Sequence, residues 1–88
     1  MRLLPPGFRL STWHTPTGAE VDAIIETPDT VIPVEIKWTE NPTPRDAHHV
    51  VKFLELHRDM ADKGYVVCRC PRRQKLGDRV TALPWQEF

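Results

Sequence analysis

The sequence predicts an α/β domain of the α+β type, a mixed β-sheet of about five strands with one crossover helix. Three features carry that prediction. Two runs rich in β-branched residues, 20–27 and 31–39, are separated only by the breaker Pro28-Asp29-Thr30. A longer stretch opens on Thr43-Pro44 and closes at Gly64, with apolar residues at helical spacing between them. Residues 65–70 (YVVCRC) then return to strand composition, and a strand reached through a helix pairs in parallel with the one before it.

Taken in order, residues 8–15 (FRLSTWHT) follow the breaker Pro5-Pro6-Gly7 and end at the turn Pro16-Thr17-Gly18, which makes them strand one. Residues 20–27 and 31–39 are strands two and three, completing a three-stranded antiparallel meander. Asn41-Pro42-Thr43-Pro44 breaks the sheet, with Thr43 as N-cap, Pro44 at the first helical position and Asp46 three residues after the cap. The helix is expected from residue 44 to about residue 63, with Gly64 as its stop. Residues 65–70 form strand four, the basic loop Pro71-Arg72-Arg73-Gln74-Lys75 follows, and residues 79–83 form strand five.

The composition narrows what such a domain can be. A chain of 88 residues supports one core, so residues 1–88 read as a single domain. Twelve Lys and Arg balance twelve Asp and Glu, and the net charge of zero removes any global field for nucleic acid. Anion binding must then come from local clusters. Cys68 and Cys70 alternate in an apolar strand, which disfavours a disulfide between them and suits reduced thiols. No leader-like or membrane-length apolar run is present, and the expected location is cytoplasmic.

Charges interrupt strands two and three in a pattern that geometry explains. Alternate strand residues share a face, so Glu20 and Asp22 point one way, and Glu35 and Lys37 share a face on the next strand. A hairpin centred on Pro28-Asp29 sets Asp22 opposite Glu35 and Glu20 opposite Lys37. Two facing carboxylates repel unless a cation lies between them, so the hairpin builds a candidate metal site with a lysine beside it. Mg²⁺ suits one or two carboxylates with water and phosphate oxygens filling the rest, the chemistry of phosphodiester hydrolysis. The competing reading is a solvated sheet face carrying an ordinary cross-strand ion pair.

The run GAEVD (residues 18–22), followed after a short turn by VEIK (residues 34–37), resembles the signature of the PD-(D/E)XK nuclease superfamily. The resemblance implies a restriction-endonuclease-like fold. It also implies Mg²⁺ or Mn²⁺ held by Asp22, Glu35 and the Ile36 carbonyl, with Asp22, Glu35 and Lys37 as the catalytic set. From residue 13 to the C-terminus, with HTPTGAEVD, IPVEIKW and LGDRVTALPWQEF, the chain is similar to a C-terminal domain of unknown function found on many prokaryotic AAA-type ATPases. That similarity implies an ATPase as a partner. Superfamily nucleases open with a helix, whereas here only residues 1–7 (MRLLPPG) precede strand one, and two prolines and a glycine do not build a helix. The chain therefore reads as the distal part of a larger protein, or a shortened relative. Two functional classes follow: a metal-dependent endonuclease-like domain acting on DNA, and a nuclease-fold module that binds DNA or protein without cutting.

Several further residues are candidates. Arg72, Arg73 and Lys75 are expected to meet a nucleic-acid backbone, against the alternative of a solvated basic loop. Glu20 and His48 are accessory candidates for the acidic site. His48 and His49 flank the helix start, and His57 falls in the apolar stripe of Ala47, Val50, Phe53, Leu54, Met60 and Ala61, where a satisfied core histidine is the expected reading. The helix is expected to cover Val21, Ile25, Ile32, Val34, Ile36, Val66 and Cys68, leaving Asp22, Glu35 and Lys37 on the opposite face. A single helix covers one side only, so Trp13, Trp38 and Trp85 near strand ends point to self-association or docking on a partner domain.

Overall fold

The computed structural model describes residues 5–88 of the chain, and its single sheet has the order β1-β2-β3-β4-β6-β5. The segment expected to be too proline-rich for a helix falls partly on residues 1–4, outside the described residues. β1 (Arg9–His14), β2 (Glu20–Glu26) and β3 (Val31–Ile36) form the antiparallel meander. α1 (His48–Leu56) then crosses over to β4 (Gly64–Cys68), which pairs in parallel with β3. β6 (Val80–Pro84) extends the sheet in parallel beside β4, and the two-residue β5 (Gln74–Lys75) closes the edge antiparallel to β6. Among the described residues the domain is α+β, with one open mixed sheet of six strands and one α-helix. The sixth strand is β5, which the sequence shows only as the end of a basic loop.

Thr43 and Asp46 cap the crossover segment as their spacing predicts, the Thr43 N–H donating to Asp46 Oδ2 at 2.9 Å. They initiate a 3₁₀ turn, Pro44–Ala47, before the α-helix begins. The helix ends at Leu56, one and a half turns or more short of the expected stop near residue 63. His57 leaves helical backbone at φ −127°, and the Met60 carbonyl turns outward to accept from Val31 N–H and Thr30 Oγ1, both at 3.0 Å. Tertiary hydrogen bonds to the β3 entrance thus replace the last helical ones. Gly64, expected to stop the helix, is instead the first residue of β4. A Cβ there would stand 2.4 Å from Val50 Cγ1 and 3.0 Å from the Pro33 carbonyl oxygen, so helix and strand approach across a bare backbone.

The β2–β3 register is the one the hairpin geometry predicts, with Ala23 opposite Val34 and Ile25 opposite Ile32. The assignment of faces needs correction. Between Ser11 and Trp13 the β1–β2 register shifts, so that Asp22 and Ala23 together oppose Thr12 in a β-bulge. One extra residue on β2 puts Val21 and Ile24, rather than Val21 and Ile25, on the same side. Both join the core under α1, with Val50, Phe53, Leu54, Val66, Cys68, Val80 and Ala82. Trp13 packs against this core as well, edge-on to Phe53 at 5.2 Å between ring centroids, so it is not one of the free strand-end aromatics. On β3 the helix side is the face of Pro33 and Glu35, not that of Ile32, Val34 and Ile36. Glu35 and Lys37 therefore lie beneath the start of the helix, not on the face away from it, while Asp22 sits in the bulge and is exposed.

Candidate functional site

The bulge on β2 opens the site. The β2–β3 ladder runs from the Glu26↔Val31 pair to Ala23↔Val34, and from there two carboxylates take over the role of backbone acceptors. Asp22 N–H donates to Glu35 Oε1 at 3.1 Å, and Ile36 N–H donates to Asp22 Oδ2 at 2.9 Å. Each acidic side chain is thereby anchored by the backbone of the opposite strand, leaving one oxygen of each for another partner. In an extended strand the N–H and C=O of one residue point to the same side, so the Ile36 carbonyl is directed toward β2 and the same gap.

Glu35 is buried, at 5% exposure, whereas Asp22 is exposed. Burial, followed by a side-chain hydrogen bond with Asp22, pushes the Glu35 carboxyl from its ordinary 4.5 up to about 7. The charge of Asp22 adds to the rise; Lys37 pulls the other way. A buried carboxylate beside a second one is stabilised either by a proton or by a cation, and at neutral pH the two compete for the same oxygens.

An open cleft of about 760 Å³ lies over Glu35. Glu35 and Lys37 form its floor, and the 3₁₀ turn and the first turn of α1 supply the opposite wall through Arg45, Asp46, His48 and His49. His49 Nδ1 stands 3.8 Å from Glu35 Oε2 and 3.5 Å from the Glu20 backbone nitrogen. His49, more than His48, is thus the histidine that meets the acidic pair. The His-His dipeptide singled out the place, but the 3₁₀ start of the crossover sets which ring turns inward. Arg45, next to the capping proline, is a cleft residue that sequence reasoning did not select. Its only signal was a cation at the N-terminal turn of the segment that faces the acidic strand.

Glu35 and Lys37 line one cleft, and Asp22 meets Glu35 through the backbone hydrogen bonds at the bulge but does not line the cleft. Glu20 is not joined to Lys37 by an ion pair among the described residues; it pairs with His14 across β1–β2. The basic loop is remote from the cleft. Lys75 sits on β5, three strand positions from β3, or about 14 Å at the usual spacing. Arg73 Nε is engaged by Glu87 Oε1 at 2.6 Å. His57 is satisfied as expected, stacked on Phe53 at 4.2 Å with Nδ1 3.0 Å from the Phe53 carbonyl, but it is half-buried at the edge of the core and not inside it. Cys68 and Cys70 are free and buried.

No cluster of three or more His, Cys, Asp and Glu side chains at metal-binding spacing occurs among the described residues. Asp22 and Glu35 each keep one carboxylate oxygen off the backbone, and these oxygens with the Ile36 carbonyl are the donors an oxygen-preferring cation would use. No helix among the described residues is long and apolar enough to cross a membrane. The family described as a domain of unknown function (DUF4143) matches residues 3–88. No curated protein and no solved structure matches the chain.

Proposed function

We propose, for a chain that belongs to the DUF4143 family, the role of a metal-dependent nuclease-like domain of restriction-endonuclease-like fold acting on DNA phosphodiesters. The single observation that carries this reading is the reciprocal anchoring of Asp22 and Glu35 on the backbone of β2 and β3, with Lys37 beside them in an open cleft. When bound, Mg²⁺ or Mn²⁺ would polarise a phosphodiester oxygen and make water more acidic. The chain's own residues do the rest. Asp22 and Glu35 offer one oxygen each, held in place by Ile36 N–H and Asp22 N–H. The Lys37 ammonium orients the attacking water and stabilises charge on the phosphorus in the transition state. Arg45 and His48 on the opposite wall contact flanking phosphates, and His49 positions Glu35. The similarity to domains carried by AAA-type ATPases makes such a motor a proposed partner in the cell.

A second reading is favoured by the same hydrogen bonds. Because each carboxylate already has a backbone partner, the site is built without a cation, as a non-cutting module that binds DNA or protein would need. A paired experiment separates the two. At pH 8, millimolar Mg²⁺ is expected to raise the unfolding midpoint of the wild type, and Asp22→Asn should abolish that increment. Supercoiled DNA with Mg²⁺ or Mn²⁺ should be nicked, and Lys37→Ala should reduce nicking to background with the fold intact. Unchanged midpoints with and without either cation would sink the metal-site reading. Cation stabilisation without any nicking would assign the non-cutting module.

A further inference from the structure

Two aromatic side chains at the C-terminal end of the sheet are left unused by the cleft. Trp38 and Trp85 are 62% and 50% exposed, although tryptophan has more apolar area to withdraw from water than most side chains. Their ring centroids lie 6.1 Å apart with the planes inclined at 50°, which leaves a wedge between them and not a closed stack. The Arg69 guanidinium lies over the Trp38 ring, 5.7 Å from its centroid, so a cation covers part of one face of that indole.

The backbone under this group is fixed. Lys37 N–H donates to the Val67 carbonyl at 2.9 Å and Arg69 N–H to the Thr39 carbonyl at 2.8 Å, which clamps the residue between them from both sides. Trp85 opens a 3₁₀ turn, Trp85–Glu87, and the acidic group of that turn is already paired with Arg73. Rigid, water-exposed rings beside a guanidinium that has no carboxylate partner among the described residues suit a ligand that is flat, aromatic and anionic. A nucleobase with its phosphate has all three properties. A second copy of the chain meeting this patch about a two-fold axis would instead bring each Arg69 toward the other.

We propose that Trp38, Trp85 and Arg69 form a stacking platform for an unpaired nucleobase and its phosphate, so that the DNA entering the cleft is DNA with a single-stranded segment. This rests on the nuclease-like reading of the cleft and names its substrate class. Lys37 lines the cleft and Trp38 follows it in the chain outside the cleft, so a strand rounding the end of β3 meets both. Base-on-aromatic stacking tolerates any base, and it selects unpaired over paired DNA because a paired base offers no free face.

The test uses the 88-residue chain in EDTA, so that neither cation binding nor cleavage contributes. Anisotropy of a labelled oligothymidylate is compared with that of an abasic oligomer of equal length and with a blunt duplex. The thymine-bearing strand is expected to bind about 5- to 100-fold more tightly than the abasic one. Trp38→Ala and Trp85→Ala should each erase most of that preference, Trp38→Phe should retain most of it, and Asp62→Asn, at an exposed residue outside the cleft, should leave it unchanged. Equal wild-type affinity for the two strands overturns the platform, as does a preference that survives the double alanine variant. It is also overturned if Trp38→Ala turns a dimer into a monomer in sedimentation without altering oligomer affinity, because the patch is then a contact between copies. A retained base preference with no cation effect at the acidic pair would fail the cleft reading alone.

Discussion

Glu35 is the residue on which most of the site's physics converges. It is buried beside a second carboxyl, and its pKa of about 7 lies above the ordinary 4.5. The folded state therefore binds a proton more tightly than the unfolded chain does. The stability from that preference is fully present below pH 4.5, declines as pH rises toward 7, and is absent above it. The shift corresponds to a loss on the order of 3 kcal/mol over that interval. Denaturant midpoints of the wild type should accordingly fall between pH 5 and pH 8. Glu35→Gln, which keeps the oxygen that accepts from Asp22 N–H, should flatten the dependence and be the more stable protein at pH 8. A wild-type midpoint that is level over this range would show that the carboxyl is not perturbed.

At the level of elements, the approach of α1 to β4 sets the position of the cleft wall. Gly64 allows that approach, since a Cβ there would lie 2.4 Å from Val50 Cγ1 and 2.9 Å from Pro33 Cγ. Pro33 is rigid and its carbonyl belongs to β3, so the relief must come from moving the helix. Gly64→Ala is expected to destabilise the domain by about 1–3 kcal/mol, because the overpacking exceeds the few tenths of a kcal/mol or more gained by stiffening the unfolded chain. It should also weaken Mg²⁺ binding, by displacing His48 and His49 from β3. Equal denaturation midpoints for the variant and wild type would mean that the helix yields freely at this contact.

Across the whole molecule, positive and negative clusters sit apart. The acidic pair and cleft lie on β2 and β3, whereas the basic loop ends on β5 at the far edge of the sheet. With net charge zero, the chain has regional fields and no overall one. Arg72→Ala with Arg73→Ala should therefore reduce the slope of DNA affinity against salt by about 1–2, the signature of lost phosphate contacts, with Mg²⁺ stabilisation at pH 8 unchanged. Fold stability should move by less than about 1 kcal/mol, since the Arg73–Glu87 pair is exposed. An unaltered salt slope would assign the loop to solvent.

The meander, the crossover and the parallel return were legible in the sequence because they depend on local quantities: breakers at 16–18 and 28–30, a cap at Thr43 and composition on either side of Gly64. So was the grouping of Asp22, Glu35 and Lys37, which needs only a hairpin centre and a two-residue period. Which face of the sheet they occupy was not legible. It turns on the bulge opposite Thr12, a single extra residue with no glycine or proline to announce it, and on where the helix settles. The early end of α1 was equally hidden, since the Met60 carbonyl is drawn away by Val31 and Thr30, partners distant in sequence. The 20–39 segment by itself determined which acidic side chains meet, because pairing in a hairpin is local. Only the tertiary structure decided that Glu35 lies in the cleft with His49 and Arg45, because burial and long-range hydrogen bonds are shared among elements and written in none of them singly.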